Sequence, residues 1–302
     1  MAQFSWVFDA PTGTYKSHAM SRHMYVAAVA DAVFMPYVRP VDGFGKKMGE
    51  TVTLTRVSAI TVPTSGKLTE GVRIPEDTFA LTTTSITVAE FGRAVPYNSL
   101  AMDLSEFDLE NPIQKALKEQ QQLILDNAVA TAFKTAKIKY APTGLAANNI
   151  ATNGTFGAAA TVNMNLYHVE QIADYLYDTL QAPYWEGEDY IGIFRTLGLR
   201  GIRDDPRWEQ WMQYASPQTK ENGETGRLER IRFVRTNNNN ALGKVGTGSV
   251  LGEGLVFGSD AVAMAEAVTP EMRAGIPADF GRALAVAWYG VLEFGIIWDT
   301  GN

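Results

Sequence analysis

The 302-residue sequence predicts an α+β protein in which a long β-hairpin projects from a helix-and-sheet body. Three observations carry that prediction. Two Thr-rich, β-branched stretches of period two, Thr51–Thr55 and Thr84–Val88, bracket an unusually long connection. Two segments with helical apolar spacing follow it, and the last forty residues return to strand pattern.

Taken in order, residues 1–17 carry Pro11, Gly13 and aperiodic aromatics, which predicts an extended arm. From His18 to Met35 the residues Met20, Met24, Ala27, Ala28 and Phe34 fall partly on one helical face, and Pro36 stops the pattern; a short helix is expected. The two Thr-rich stretches then read as arms of one hairpin. Between them, Arg56 to Thr83 holds Pro63, Gly66, Gly71 and Pro75, interspersed with Lys67, Glu70, Arg73, Glu76 and Asp77. A connection that long is uncommon in a compact domain and usually serves something outside it. If its arms stay extended to the tip, at ~3.3 Å per residue it projects roughly 50 Å or more, beyond the radius of its own domain.

The clearest helix spans 112–137. Asn111 is a suitable N-cap, Pro112 a suitable first residue, and Ile113, Ala116, Leu117, Ile124, Ala128 and Ala132 form its apolar stripe. At ~1.5 Å per residue this is a rod of about 39 Å. Lys115, Lys118, Glu119, Gln122 and Asp126 are expected on its wet face. Residues 138–162 read as a loop or weak hairpin. A second helix is expected from Asn165, with Pro183 ending it. Tyr190–Phe194 reads as a buried strand, Arg195–Tyr214 as broken helix, and Ile231–Val234 and Val256–Phe257 as strands. Ala261–Ala267 and Arg282–Asp299 supply the closing strands.

Composition excludes several classes of function. There is no cysteine, so disulfides, Cys-containing zinc sites and thiolate nucleophiles are out. With 26 basic and 33 acidic side chains the net charge is −7, against a freestanding nucleic-acid binder. The best apolar run, Ala283 to Leu292, is about half of the ~20 residues that span a bilayer, and no export signal is recognisable, so no membrane association is expected.

Candidate chemistry is sparse. His18, His23 and His168 lack metal-ligand spacing and read as ordinary surface or interface residues. No G-x-S-x-G elbow exists, and the glycines from Gly246 to Gly254 match neither phosphate-binding spacing, which leaves a flexible loop. Carboxylates beside Trp185, Trp208 and Trp211 (Glu186, Glu188, Asp189, Asp204, Asp205, Glu209) allow a glycosidase pair, but acids and aromatics are common. Arg195, Arg200, Arg203 and Arg207, interleaved with Asp204 and Asp205, read more simply as a surface ion-pair network, placed between subunits. No catalytic residue, metal site or cofactor is expected.

The order of elements, together with Lys67-Leu68-Thr69-Glu70-Gly71-Val72 and Ile86 to Val95 (ITVAEFGRAV), resembles the major capsid proteins of tailed bacteriophages of the Hong Kong 97 phage type, and within them the capsids of N4-like and related phages. The resemblance covers nearly the whole chain. It implies an N-terminal arm over 1–48, an extended E-loop hairpin over 49–98, a peripheral domain over 99–162 containing the spine helix 112–137, an axial domain over 163–262, and a return to the peripheral domain over 263–302. It implies self-assembly as hexamers and pentamers into an icosahedral shell around double-stranded DNA, in a virion put together in the host cytoplasm. Lys67, Glu70, Arg73, Glu76 and Asp77 are then intersubunit contacts at the E-loop tip, and Arg195, Arg200, Arg203, Asp204 and Arg207 contacts in the axial domain. Lys67 alone does not support a lysine–asparagine cross-link, and none is predicted.

The physics of a thin subunit agrees, since much of its stability would come from obligate interfaces larger than ~2,000 Å². The first fifty residues hold five basic and four acidic side chains, so only weak, non-specific contact with packaged DNA is expected. Without a charged helical extension ahead of the arm, scaffolding is expected from a separate protein or from a segment that is cleaved away, alongside portal and decoration proteins. Two rivals are a nanocompartment (encapsulin-like) shell of the same fold, and a β-rich glycan-active enzyme or binding module using the Trp185, Trp208 and Trp211 region.

Overall fold

The computed structural model describes residues 30–57, 60, 62–104, 110–205, 224–276 and 279–297. In chain order the elements are β1 (Arg39–Pro40), β2 (Thr51–Val57), β3 (Leu81–Thr87), β4 (Ala89–Asn98), α1 (Ser99–Leu104), α2 (Glu110–Lys134), β5 (Lys139–Gly144), β6 (Ala147–Ala151) and α3 (Leu166–Asp174). There follow β7 (Tyr190–Arg195), α4 (Arg200–Arg203), β8 (Glu224–Leu228), β9 (Ile231–Thr236), β10 (Lys244–Val245), β11 (Leu251–Gly252), β12 (Gly254–Phe257), β13 (Val262–Ala274) and β14 (Ala283–Ile296).

Two four-stranded sheets organise the chain. In one, of order β1-β13-β14-β4, the long strands β13 and β14 are antiparallel and α2 lies against them. In the other, of order β12-β7-β9-β8, β7 is buried along almost its whole length and runs parallel to β9. One core joins the two sheets: Val129 and Phe133 of α2, Ile191 and Ile193 of β7, Phe257 of β12, Val262 of β13, and Leu292 and Phe294 of β14. Phe133 and Phe257 meet there with ring centroids 4.4 Å apart. A second core packs α3 through Leu166 and Val169 onto Tyr190, Phe194, Ile231 and Phe233.

The expected hairpin forms, in the register Thr51↔Thr87 to Val57↔Leu81. The stretch counted with it up to Asn98 behaves differently. From Ala89 onward the chain leaves β2 and pairs with β14 instead, Leu292↔Ala89 through Ala283↔Asn98. The strand ladder also stops at Val57 and Leu81, so the arms do not continue as paired strands to the tip.

Three other expectations are corrected. Residues 18–29 of the expected first helix lie outside the described residues. Residues 30–34 are not helical, and Pro36 sits inside a short 3-10 turn, Met35–Tyr37. The Phe34 N–H that a helix would use is instead taken by the carboxylate of Asp126, 92 residues on, at 2.6 Å. Helix α2 begins at Glu110, so Asn111 and Pro112 occupy its first turn, where a missing N–H costs nothing. It ends at Lys134, because Thr135 Oγ1 captures the Ala132 carbonyl and Lys139 Nζ the Lys134 carbonyl. Asp126, expected on the wet face, is fully buried, and Ala116, expected in the stripe, is exposed.

The second helix starts as predicted: the Asn165 side chain accepts from the His168 backbone N–H at 3.3 Å, and a wide π turn, Tyr175–Thr179, closes it before Pro183. Part of the glycine run expected as a flexible loop is instead built into packed structure. Gly252 lies in β11 and Gly254 in β12, each pressed against neighbouring atoms that leave no room for a Cβ.

Candidate intersubunit surfaces

The hairpin is held firmly at its root. Alternation in β2 turns Val52 and Leu54 to the same side as Ile86 of β3, and these pack on Ala263 and Ala265 of β13. Thr51 and Thr87 share a hydroxyl hydrogen bond of 3.0 Å, and Arg56 Nη1 donates to the Ile297 carbonyl at 3.1 Å. Beyond the ladder, residues 62–80 form no strand or helix. Their one local turn has Val72 N–H donating to the Thr69 carbonyl, with Gly71 at a φ of 77° that suits glycine.

All five charged residues predicted at the tip, Lys67, Glu70, Arg73, Glu76 and Asp77, are exposed. Arg73 and Glu76 form an ion pair within the loop. The charges are accompanied by something the sequence reading did not weigh. Val62, Leu68, Val72, Ile74 and Phe79 are 61–89% exposed on the same stretch. A cluster of large apolar side chains held out in water marks a binding surface or an aggregation hazard. The signal was present in the sequence, since these residues stand among the charges, but exposure cannot be read from identity.

The described arginines of the cluster play different parts within a single copy. Arg195 is half-buried and braces its own chain, Nη1 donating to the Leu242 carbonyl at 3.0 Å. Arg200 and Arg203 flank the buried Ile202 on α4 and are exposed, as is Asp204; among the described residues none of the three forms an ion pair. Arg207 lies outside the described residues.

The ion-pair network sits elsewhere, on the acids beside Trp185. Asp189 is almost fully buried; Arg232 Nε donates to its Oδ2 at 2.8 Å and Arg227 Nη2 lies 2.6 Å from Oδ1. Arg232 Nη1 also reaches Glu186 at 2.9 Å. Trp185 packs edge-on against Tyr37 and Phe257, with centroids 5.4 and 6.3 Å away. Asp189 and Glu186 are held by arginine and the Trp185 indole is part of the packing, so among the described residues this region offers neither a free carboxylate pair nor a sugar-stacking face. Trp208 and Trp211 lie outside the described residues.

His168, read as a surface histidine, is buried, with Nδ1 2.8 Å from the Tyr140 hydroxyl; burial lowers its pKa from the ordinary 6.5. Burial also pushes the Tyr140 phenol up to about 12. His18 and His23 lie outside the described residues. Among the described residues no group of His, Asp or Glu could hold a metal ion, and no helix is long and apolar enough to cross a membrane.

A projecting hairpin rooted on a long-stranded sheet, a long helix across that sheet and a second sheet sharing its core make up the fold of tailed-phage major capsid proteins. Solved structures that it is similar to include phage capsids. The capsid of cyanophage Pam1 matches with a TM-score of 0.67 at 15% identity, over 99% of this chain and 95% of that one. The head of Helicobacter pylori bacteriophage KHP40 matches with a TM-score of 0.69 at 10% identity, over 97% and 91%. The capsid of cyanophage P-SCSP1u matches with a TM-score of 0.66 at 13% identity, over 95% and 93%. No family model and no curated protein matches the sequence.

Proposed function

We propose that this chain is the major capsid protein of a tailed bacteriophage, assembling as hexamers and pentamers into the icosahedral shell that encloses double-stranded DNA. The observation that carries this is the capsid fold spanning nearly the full length of both this chain and its structural neighbours. The exposed apolar loop supports it, because a free monomer would leave those side chains in water. On this reading the tip residues Lys67, Glu70, Arg73, Glu76 and Asp77 lie in an interface between copies, as do Arg200, Arg203 and Asp204 at α4. A separate scaffolding protein, a portal and a decoration protein would be its partners in the host cytoplasm, and the DNA would contact the wall weakly. The 163–262 segment would be the axial domain, with 99–162 and 263–302 forming the peripheral one.

Negative-stain microscopy of the purified protein tests this. Closed shells, alone or with scaffold co-expressed, are expected. A monodisperse monomer under both conditions would overturn the proposal, and shells that copurify with a packaged enzyme in place of portal and scaffold would assign the fold to a nanocompartment instead.

A further inference from the structure

The C-terminal end of α2, the β5–β6 hairpin, the end of α3 and β12 surround an apolar cleft of about 1120 Å³. Ile138, Tyr140, Leu176, Leu255 and Phe257 are among the side chains that line it, and Phe156, half-exposed, stands at its mouth. Of the hairpin, only Val57 at the end of the β2 ladder touches this cleft; none of residues 62–80 does. The chain therefore presents, in separate places, an apolar cleft and an exposed apolar loop that its own fold does not bring together.

Charge gives the two surfaces a matching register. At the mouth, Glu253 is bridged by Lys134 at 2.7 Å, while Lys139 donates to the Lys134 carbonyl and forms no ion pair among the described residues. On the loop, Arg73 takes Glu76, and Glu70 and Asp77 form no ion pair among the described residues. Beside the cleft Lys134 and Lys139 share the single carboxylate of Glu253, which leaves a net positive charge to meet the carboxylates of Glu70 and Asp77. Val72, at the bend that follows Gly71, and Ile74 are both exposed and only two residues apart, so they can enter together. Reach is sufficient: ~3.3 Å per residue over half of the loop and the seven-residue ladder takes the tip well beyond the chain's own body.

We infer that this cleft is the seat of the 62–80 loop of a second copy of the chain, with Val72 and Ile74 in the cleft and Glu70 or Asp77 paired with Lys139. The inference rests on the shell reading and adds where on its neighbour the loop is received.

The absence of cysteine makes the test clean, because any disulfide must come from introduced residues. Val72→Cys and Ala159→Cys, the latter on the exposed edge of the cleft, are made in separate chains, co-expressed, assembled and oxidised. A disulfide-linked dimer is expected only when both variants are present. With both substitutions in one chain, linked ladders of two or more chains are expected; a bridge closed within a single chain would overturn the inference. Lys139→Glu is expected to lower shell yield several-fold, and Glu70→Lys with Asp77→Lys to restore it; that rescue decides the matter if a cysteine variant fails to assemble. Shells that form without the link and without charge rescue overturn the inference while leaving the capsid function intact. Failure of the unsubstituted protein to form shells overturns the function itself.

Discussion

The backbone N–H of Phe34 donates to the buried carboxylate of Asp126 at 2.6 Å, tying the chain that emerges from residues 1–29 to the middle of helix α2. Asn238 Nδ2 reaches the other oxygen of the same carboxylate at 3.2 Å and Asn127 Oδ1 at 2.9 Å, so three segments far apart in sequence meet on one side chain. Removing the carboxylate strands buried donors. Asp126→Ala is expected to cost about 2–4 kcal/mol in urea unfolding, with Asp126→Asn costing less because it keeps one acceptor. Desolvation by burial raises the Asp126 pKa above the ordinary 3.8. The folded state then holds a proton where the unfolded chain has lost it. Wild type should therefore gain stability relative to Asp126→Asn as pH falls from above the folded value toward 3.8, and a difference that stays flat over pH 7 to 4 would refute this.

His168 works in the opposite sense. Burial lowers its pKa, so the unfolded chain takes up a proton first as pH drops below 6.5. Its contribution is fully present above 6.5 and is lost as pH falls toward the folded value. His168→Gln, which can still meet the Tyr140 hydroxyl, should remove that slope from the unfolding free energy; an unchanged slope would assign the pH dependence to other groups.

Asp189 anchors two arginines from β8 and β9 beside β7. Asp189→Ala should destabilise by about 2–3 kcal/mol, below the full value for a buried pair because Arg227 is half exposed. Glu186→Ala, which removes only an exposed partner, should stay within about 0.5 kcal/mol. Equal costs in thermal or chemical unfolding would show that burial of Asp189 carries no weight.

Gly252 has no slack. A Cβ there would overlap the Gly198 backbone nitrogen, which cannot swing aside as a side chain could. Gly252→Ala is expected to cost about 2–3 kcal/mol, whereas Gly66→Ala, with open space around it, should cost little. Circular-dichroism melts of the two variants compare them directly.

The loop should separate folding from assembly. Ile74→Asp and Phe79→Asp lie on exposed positions, so unfolding is expected to change by less than about 0.5 kcal/mol. Sedimentation velocity should nevertheless show self-association weakened tenfold or more. A variant that assembles like wild type would remove the apolar loop from the interface.

Much of the architecture could be read before any coordinates because its signals are local. Period-two Thr and Val positions paired as expected from Thr51 to Thr87, Asn165 capped its helix, and the last forty residues closed the main sheet. The errors share one cause. Asp126 was placed in water because aspartate normally is, and nothing within a few residues of it shows that Phe34 and Asn238 will bring donors from about a hundred positions away. The Gly246 to Gly254 run looked flexible for the same reason: Gly252 and Gly254 answer to Gly198 and Phe194, which the local sequence cannot name. Asp189 was read only as an acid beside Trp185, whereas across two strands it gathers Arg227 and Arg232.

Sequence by itself determined the hairpin ladder, the two longer helices and the closing strands, and that a long excursion leaves the body, since backbone preference and apolar period act over a few residues. Tertiary structure alone decided which polar groups are buried, which glycines are indispensable and which apolar side chains stay in solvent. Those outcomes depend on desolvation and close packing between segments remote in the chain, and such terms are fixed only once the segments have met.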